Sequence, residues 1–269
     1  MSVIEKAFGL LSHFSTLRPE IGLSEFRRLS SHDKATTYRY LTALEAVGLV
    51  EKTPTTKAYR IGPSVLRLAE LREATVPRKQ GVLQPLETLA EQTGESAHAS
   101  VLSGTVLHSL AAHESTRHST RVVIDVTILP LHATASGVAV LAFGGPEMRN
   151  AALADMHRFT EFTPVTADDL DAAIAKARAS GVSTSGGAFE AGVHGMSVPV
   201  FDQTGTVAGA VSAASVSTRM TPEQEAINKS GLIEAGRQIT RNWGGMVPAS
   251  VDAIWTNTLA SLSNKEPTP

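Results

Sequence analysis

Apolar residues recur at helical spacing at the start of the chain, through Val3, Ala7, Leu10, Leu11 and Phe14, and again at Phe26 and Leu29 after Ser24 as a candidate N-cap. A third helical pattern follows "SSHD", whose side chains offer several N-caps. From Lys34 onward Thr37, Tyr40, Leu41, Leu44 and Val47 fall on one side, and Gly48 stops the helix. At about 100° per residue, Ala35, Tyr38, Arg39 and Thr42 fall on the opposite side, with Lys34 flanking it. The period then drops to two. "LVEKTPTTKAYRIG" predicts strands from Leu49 to Lys52 and from Ala58 to Ile61, joined by a polar turn carrying Pro54 and Lys57.

Helical spacing returns from Pro63 to about Val76, with Val65, Leu66, Ala69 and Leu71 available for burial and Pro77 as the stop. "LQPLETLAEQTG" predicts an amphipathic helix closed by Gly94, and "AHASVLS", "TVLHSLAAH" and "RVVIDV" read as short strands. "LPLHATASGVAVLAF" turns from extended chain into a helix of small residues, and "TADDLDAAIAKARASG" predicts a helix from Thr166 to Gly181. The strands "GMSVPVFD" and "TVAGAVSAAS" meet at a tight "DQTG" hairpin. The next helix starts with Thr221 as N-cap, Pro222 in its first turn and Gln224 completing a capping box. Strands, then helices, then strands again predict an α+β sandwich. In the tail, Val251, Ile254, Trp255, Leu259 and Leu262 form an apolar group that can cover the body or a partner.

Three helices followed by a hairpin are the order of a winged helix-turn-helix. The outward set of small residues, a phenol and two cations suits the N-terminal half of a helix in a major groove, although a merely solvated face has the same composition. In the hairpin, Lys52, Lys57 and Arg60 then come near phosphates or the minor groove. Charge shifts the balance. Residues 1–72 hold eleven Lys and Arg against seven Asp and Glu, a net +4, while the remainder carries −6. With 269 residues, 42% hydrophobic content and no apolar run near the ~18 residues a bilayer needs, two soluble domains and no membrane association are expected. The start "MSVIEKAFGLL" does not read as a secretion signal, so a cytoplasmic address is expected. The lack of cysteine excludes disulfides and thiolate chemistry.

"GLSEFRRLSSHDKATTYRYLTALEAVGLVEK" with "AYRIGPSVLRLA" resembles the DNA-binding domain of IclR-family bacterial transcription regulators. Thr36, Arg39, Leu41, Leu44, Gly48, Leu49, Tyr59 and Gly62 match its "xxTxxRxLxxLxxxGLV" helix and "YxLG" strand, while His32 and Asp33 depart from its "Leu-Pro" start and Ile61 replaces a leucine. The resemblance implies that Lys34, Ala35, Thr36, Tyr38 and Arg39 lie at or beside a double-stranded DNA operator. It continues in "LPLHATASGVAVLA" and "GVSTSGGAFEAGVHGMSVPVFDQTGTVAGAVSAAS", and so spans roughly residues 3–245. It implies a winged helix-turn-helix over 1–62, a linker helix over 63–77 where members dimerise, a GAF-like effector-binding domain over 78–247 and a tail over 248–269. A homodimer or homotetramer, a small-molecule effector of aromatic or short carboxylic type and no cofactor follow.

The start of the "HATASG" helix makes physical sense as an anion site, with Thr134, Ala135, Ser136 and Gly137 lining it. Matching the family's ligand-contacting positions adds Ser185, Gly195, Ser212 and Ala214. Ser185 stands where the family has an aspartate, "GGA" lacks an acidic pair, and Val138 replaces a lysine, so fewer fixed charges are expected; "TSGGAFEAG" also reads as a simple flexible loop. His98, His108, His113, His132 and His194 fall in the sheet region without metal-ligand spacing, and are expected as satisfied or pocket-lining side chains. Ser136 raises a hydrolase as a rival, but no Gly-x-Ser-x-Gly elbow occurs and no catalytic residue is expected. A second rival is a sensor acting only through protein contacts.

Overall fold

The computed structural model describes residues 2–15, 17–30 and 32–263, so the predicted cap at Ser31 and the polar chain end lie outside the described residues. The chain divides into two compact units, Met1–Pro77 and Arg78–Pro269.

In the first unit α1 (Val3–Gly9), α2 (Leu23–Leu29) and α3 (Lys34–Ala46) precede the hairpin β1 (Val50–Lys52) and β2 (Tyr59–Ile61), and α4 (Ser64–Thr75) follows. Leu10, Ile21, Phe26, Tyr40, Leu41, Leu44, Val50 and Tyr59 make one core. The α2 boundary differs from expectation: Gly22, not Ser24, is the N-cap. Tertiary pairing decides this, because Ile21 and Tyr59 exchange backbone hydrogen bonds at 2.9 Å and fix where the chain turns into the helix. Val3 and Val47, expected inward, are exposed at 64% and 61%. The chain leaves helical geometry at Val47, and Gly48 takes φ +72°, so the expected stop holds while the last apolar position swings outward. No residue of α4 is buried within this unit.

The second unit runs α5 (Gln80–Thr93), β3 (Ser96–Ser103), β4 (Val106–His113), α6 (Ala135–Phe143), α7 (Pro146–Ala154), α8 (Ala167–Ser180), β5 (Ser183–Gly186), β6 (Val193–Phe201), β7 (Val207–Val216), α9 (Pro222–Asn242) and α10 (Ala249–Ser263). Its five strands form an antiparallel sheet in the order β4-β3-β7-β6-β5. Side chains alternate across it. Val198 faces α9, where a β-carbon on Gly236 would press on it, while its neighbours on the opposite face lie under α6.

Three expectations fail here. "RVVIDV" is not a strand: residues 121–126 have no ladder partners, and the Val122 carbonyl accepts from the Ser96 side chain instead. Part of "TSGGAFEAG" is not a loop, because Ser183–Gly186 pairs with β6. Gln224 makes only half a capping box. Its amide N–H reaches Thr221 Oγ1 at 3.2 Å, but its side chain donates to the Thr93 carbonyl and to Asn228. The tail question is answered by α10, which folds against α8 and α9. No helix among the described residues is long and apolar enough to cross a membrane, and no group of three or more His, Asp or Glu comes together there as a metal site.

Candidate DNA-binding face and ligand pocket

The first turn of α3 is built by Asp33, one of the two departures noted above. Its carboxylate accepts from the Thr36 amide and hydroxyl, both at 2.9 Å, and these bonds hold its carboxyl below the usual range. Thr36 is thereby half-buried and occupied by the cap. Lys34, Ala35, Tyr38 and Arg39 are exposed, while Thr37, Tyr40, Leu41 and Leu44 are buried, so the helix separates its faces as the spacing predicts. The Arg39 guanidinium lies 5.6 Å from the Tyr40 ring centroid.

The three hairpin cations are not equivalent. Lys52 is 2.8 Å from Glu45 and lies over the rings of Tyr59 and Tyr38, at 5.0 and 5.7 Å. Arg60 is 2.6 Å from Glu51. Lys57 sits exposed in the turn at φ +57° and, among the described residues, has no carboxylate partner. Arg27 and Arg28 are exposed in the last turn of α2, which packs on α3. Their charge enters the net +4 of residues 1–72, and the adjacent arginine pair at a helix end is the sequence signal that marks them.

In the second unit strand register assembles the site. His98, Ser212, Ser197 and Ser183 are successive cross-strand partners, and Ser96, Ala214, Gly195 and Ser185 form the next row on the same face. The small row leaves room. A β-carbon on Gly195 would come within 3.2 Å of Ala135 Cβ, which shows how closely the α6 N-terminus approaches this floor. Thr134 caps α6 by accepting from the Gly137 amide at 3.0 Å. The amides of Ala135 and Ser136 have no hydrogen-bond partner among the described residues.

Together these elements bound a pocket of about 600 Å³ including its open mouth. Thr134, Ala135, Ser136, Ser185, Gly195, Ser212 and Ala214 all line it; Gly137 does not. A β-carbon on Gly137 would collide with the Leu131 backbone, so this glycine permits close packing behind the pocket wall. Ser185 donates to the Ala133 carbonyl at 2.9 Å and ties down the loop leading into α6.

The remaining walls come from positions with no chemical signature in the sequence. Val122, Val123, Ile124 and Val126 cover one side, in the segment predicted as a strand. Ser96 Oγ donates to the Val122 carbonyl at 2.6 Å, and Arg219 donates to the Thr120 carbonyl at 2.9 Å while its guanidinium grips the buried Glu95 carboxylate at 2.8 and 3.1 Å. Ala188, Phe189 and Val193 close the opposite side, anchored by Thr163 Oγ1 donating to the Ala188 carbonyl at 2.6 Å. Glu190 is the one ionisable group in the lining apart from His98.

His98 is buried, and desolvation lowers its pKa to about 4. The unfolded chain takes up a proton near pH 6.5 that the native ring refuses until about pH 4. His98 therefore contributes its full stability above pH 6.5, and stability falls as pH drops through that window, by about 3 kcal/mol. Urea unfolding at pH 7 and pH 4 should show this decline, and His98→Leu should flatten it. Parallel profiles for wild type and variant would show that His98 is not held neutral.

An exposed basic helix face in a winged helix-turn-helix, in one chain with an α+β domain holding a ligand-sized pocket, defines a DNA-binding transcription regulator. The chain belongs to the IclR family: residues 3–54 match the IclR helix-turn-helix domain, and residues 78–241 match the C-terminal domain of bacterial IclR transcriptional regulators. Among its relatives is the HTH-type transcriptional regulator XynR of Escherichia coli, 26% identical over 90% of this chain and 96% of XynR. The crystal structure of an IclR-type regulator from Silicibacter sp. TM1040 is 41% identical, with a TM-score of 0.86 over 93% of this chain and 99% of that one. An IclR homolog from Microbacterium hydrocarbonoxydans, solved with 4-hydroxybenzoate, shares the fold at 23% identity and a TM-score of 0.73, over 90% of this chain and 99% of that one.

Proposed function

We propose that this regulator binds its operator through Lys34, Ala35, Tyr38 and Arg39, with Thr36 fixing the helix start, and that Lys57, Arg27 and Arg28 contact phosphates. Lys52 and Arg60 reach DNA only by exchanging a glutamate for a phosphate. In this reading residues 1–62 read DNA, 63–77 form the dimerisation connector, 78–247 sense the effector, and the tail serves the sensing domain. The protein acts in the cytoplasm as a dimer or tetramer. The exposed Leu66, Leu68 and Leu71 of α4 support pairing of subunits there, because no residue of that helix is buried within its own unit.

The effector is a small organic acid with an apolar, aromatic-sized body. One observation carries this: two unpartnered amides lie at the start of α6, where Ala135 and Ser136 line a pocket whose walls are mostly Val, Ile, Leu, Ala and Phe, with His98 and Glu190 as its ionisable groups. The amides suit a carboxylate, and the walls suit a flat apolar group. A hydrolase is disfavoured, because Ser136 is hydrogen-bonded to His98 but also sits 2.7 Å from Ser212, and His98 Nδ1 has no carboxylate behind it.

The test is linkage. A ligand that occupies the pocket must change operator affinity, and operator must change ligand affinity by the same factor. Ala214→Leu, placing a larger side chain in the floor, should abolish the response and leave operator binding intact. A bound aromatic acid that leaves operator affinity unchanged would defeat the proposed coupling.

A further inference from the structure

The connector ends at Pro77, and Arg78 is the first residue of the second unit. Trp243, the C-cap of α9, holds that residue in two ways. Its indole N–H donates to the Arg78 carbonyl at 3.0 Å, and the Arg78 guanidinium lies 4.9 Å from its ring centroid. The ring also lies against the first turn of α5, where a β-carbon on Gly81 would come within 3.1 Å of it. The neighbouring Asn242 side chain donates to the Gly81 carbonyl at 2.7 Å.

The first half of α9 meets the strands that floor the pocket. Asn228 is fully buried, donates to Ser215 Oγ at 3.3 Å and lies 3.9 Å from Met196 Sδ. Ser215 and Met196 are the chain neighbours of Ala214 and Gly195, which line the pocket from the other face of the sheet. From Asn228 to Trp243 the helix runs unbroken, about 22 Å at 1.5 Å per residue. It packs tightly along that length. A β-carbon on Gly231 would press on Leu89 of α5, one on Gly236 would press on Val198 of β6, and Gln224 donates to the Thr93 carbonyl at the far end of α5. An element packed this closely shifts as a rigid body instead of bending.

We propose that Trp243 is the positioning residue through which pocket and operator communicate: α9 carries a displacement of the pocket floor to Arg78, and the indole clamp fixes the backbone from which the connector leaves. The inference rests on the operator and effector readings above and adds the residue that joins them. Linkage is reciprocal, so operator binding must act back on Trp243. A tryptophan that only fills space would not respond to it.

The chain has two tryptophans, so full-length protein labelled with 5-fluorotryptophan gives two fluorine resonances, assigned with Trp243→Phe. The probe is the tightest duplex that the protein selects from a random-sequence library, and a scrambled duplex is the control. Saturation with the selected duplex should move the Trp243 resonance, while the scrambled duplex, saturated at low salt, should leave it in place. In unlabelled protein Trp243→Phe keeps a ring and removes the N–H. It should weaken binding of the selected duplex about tenfold, because a loosened connector must be ordered again on the operator, and leave the scrambled duplex and the urea midpoint unchanged. An unmoved Trp243 resonance, or wild-type affinity of Trp243→Phe for the selected duplex, overturns the inference and leaves the operator reading standing. Equal weakening on both duplexes together with a lower urea midpoint assigns Trp243 to packing alone and also overturns it. If wild type binds the selected and scrambled duplexes equally, the operator reading falls and the inference falls with it.

Discussion

Alanine at Lys34, Tyr38 and Arg39 together should weaken operator binding by at least about 100-fold while leaving the fold intact. All three side chains are exposed on α3 and none belongs to the core of the first unit, so their removal costs little stability. A good side-chain contact to a base edge is worth about 1–3 kcal/mol, and each 1.4 kcal/mol is a factor of ten. Two such contacts suffice for the predicted loss. Lys57→Ala makes a useful contrast, because a phosphate contact should be lost equally on operator and random duplex and should lower the salt slope by about 1. Titrations of both duplexes at several salt concentrations separate the two effects. Wild-type affinity in the triple variant would mean that this face does not read DNA.

Trp255→Ala should destabilise the second unit by about 3–5 kcal/mol, the cost of truncating a large buried aromatic. Trp255 is completely buried, its indole N–H donates to the Gly181 carbonyl at 2.8 Å, and its ring lies 6.4 Å from that of Phe201. Gly181, at φ +73°, has no β-carbon to obstruct the indole. The lost donor leaves the carbonyl short of a partner as well as opening a cavity. A urea midpoint shift corresponding to less than about 1 kcal/mol would show that α10 is not packed on α8 in solution.

The first unit was largely legible because its information is local. A helix declares its buried face at a period of 3.6, and Tyr40, Leu41 and Leu44 gave that face away together with the side opposite it. The errors fell where distant chain intervened, as when Ile21 paired with Tyr59 and moved the start of α2 to Gly22. The pairing of Lys52 with Glu45 and of Arg60 with Glu51 was likewise invisible, since equal charges in sequence carry no record of which carboxylate faces them.

The pocket divides along the same line. The capped, small-residue start of α6 was readable from "HATASG", because N-capping and open amides are properties of a few consecutive residues. The resemblance supplied Ser185, Gly195, Ser212 and Ala214. His98 could not be singled out from the other histidines. Its distinction comes from lying opposite Ser212 in the strand register and beside Ser136 at a separation of 38 residues. Nor could "RVVIDV" be recognised as pocket wall, since a β-branched run looks the same whether it pairs in a sheet or is tied to one only through the Ser96 hydroxyl.

By itself, then, the sequence determined the order of elements in the first unit, the outward basic face of α3 and the ends of most helices, all set by neighbours within a turn or two. Only the tertiary structure decided which hairpin cations are paired, which valines wall the pocket, where the tail helix packs and which buried histidine nitrogens are left without a partner. Those depend on strand register and long-range hydrogen bonds, in which each donor is assigned only after its competitors have been placed.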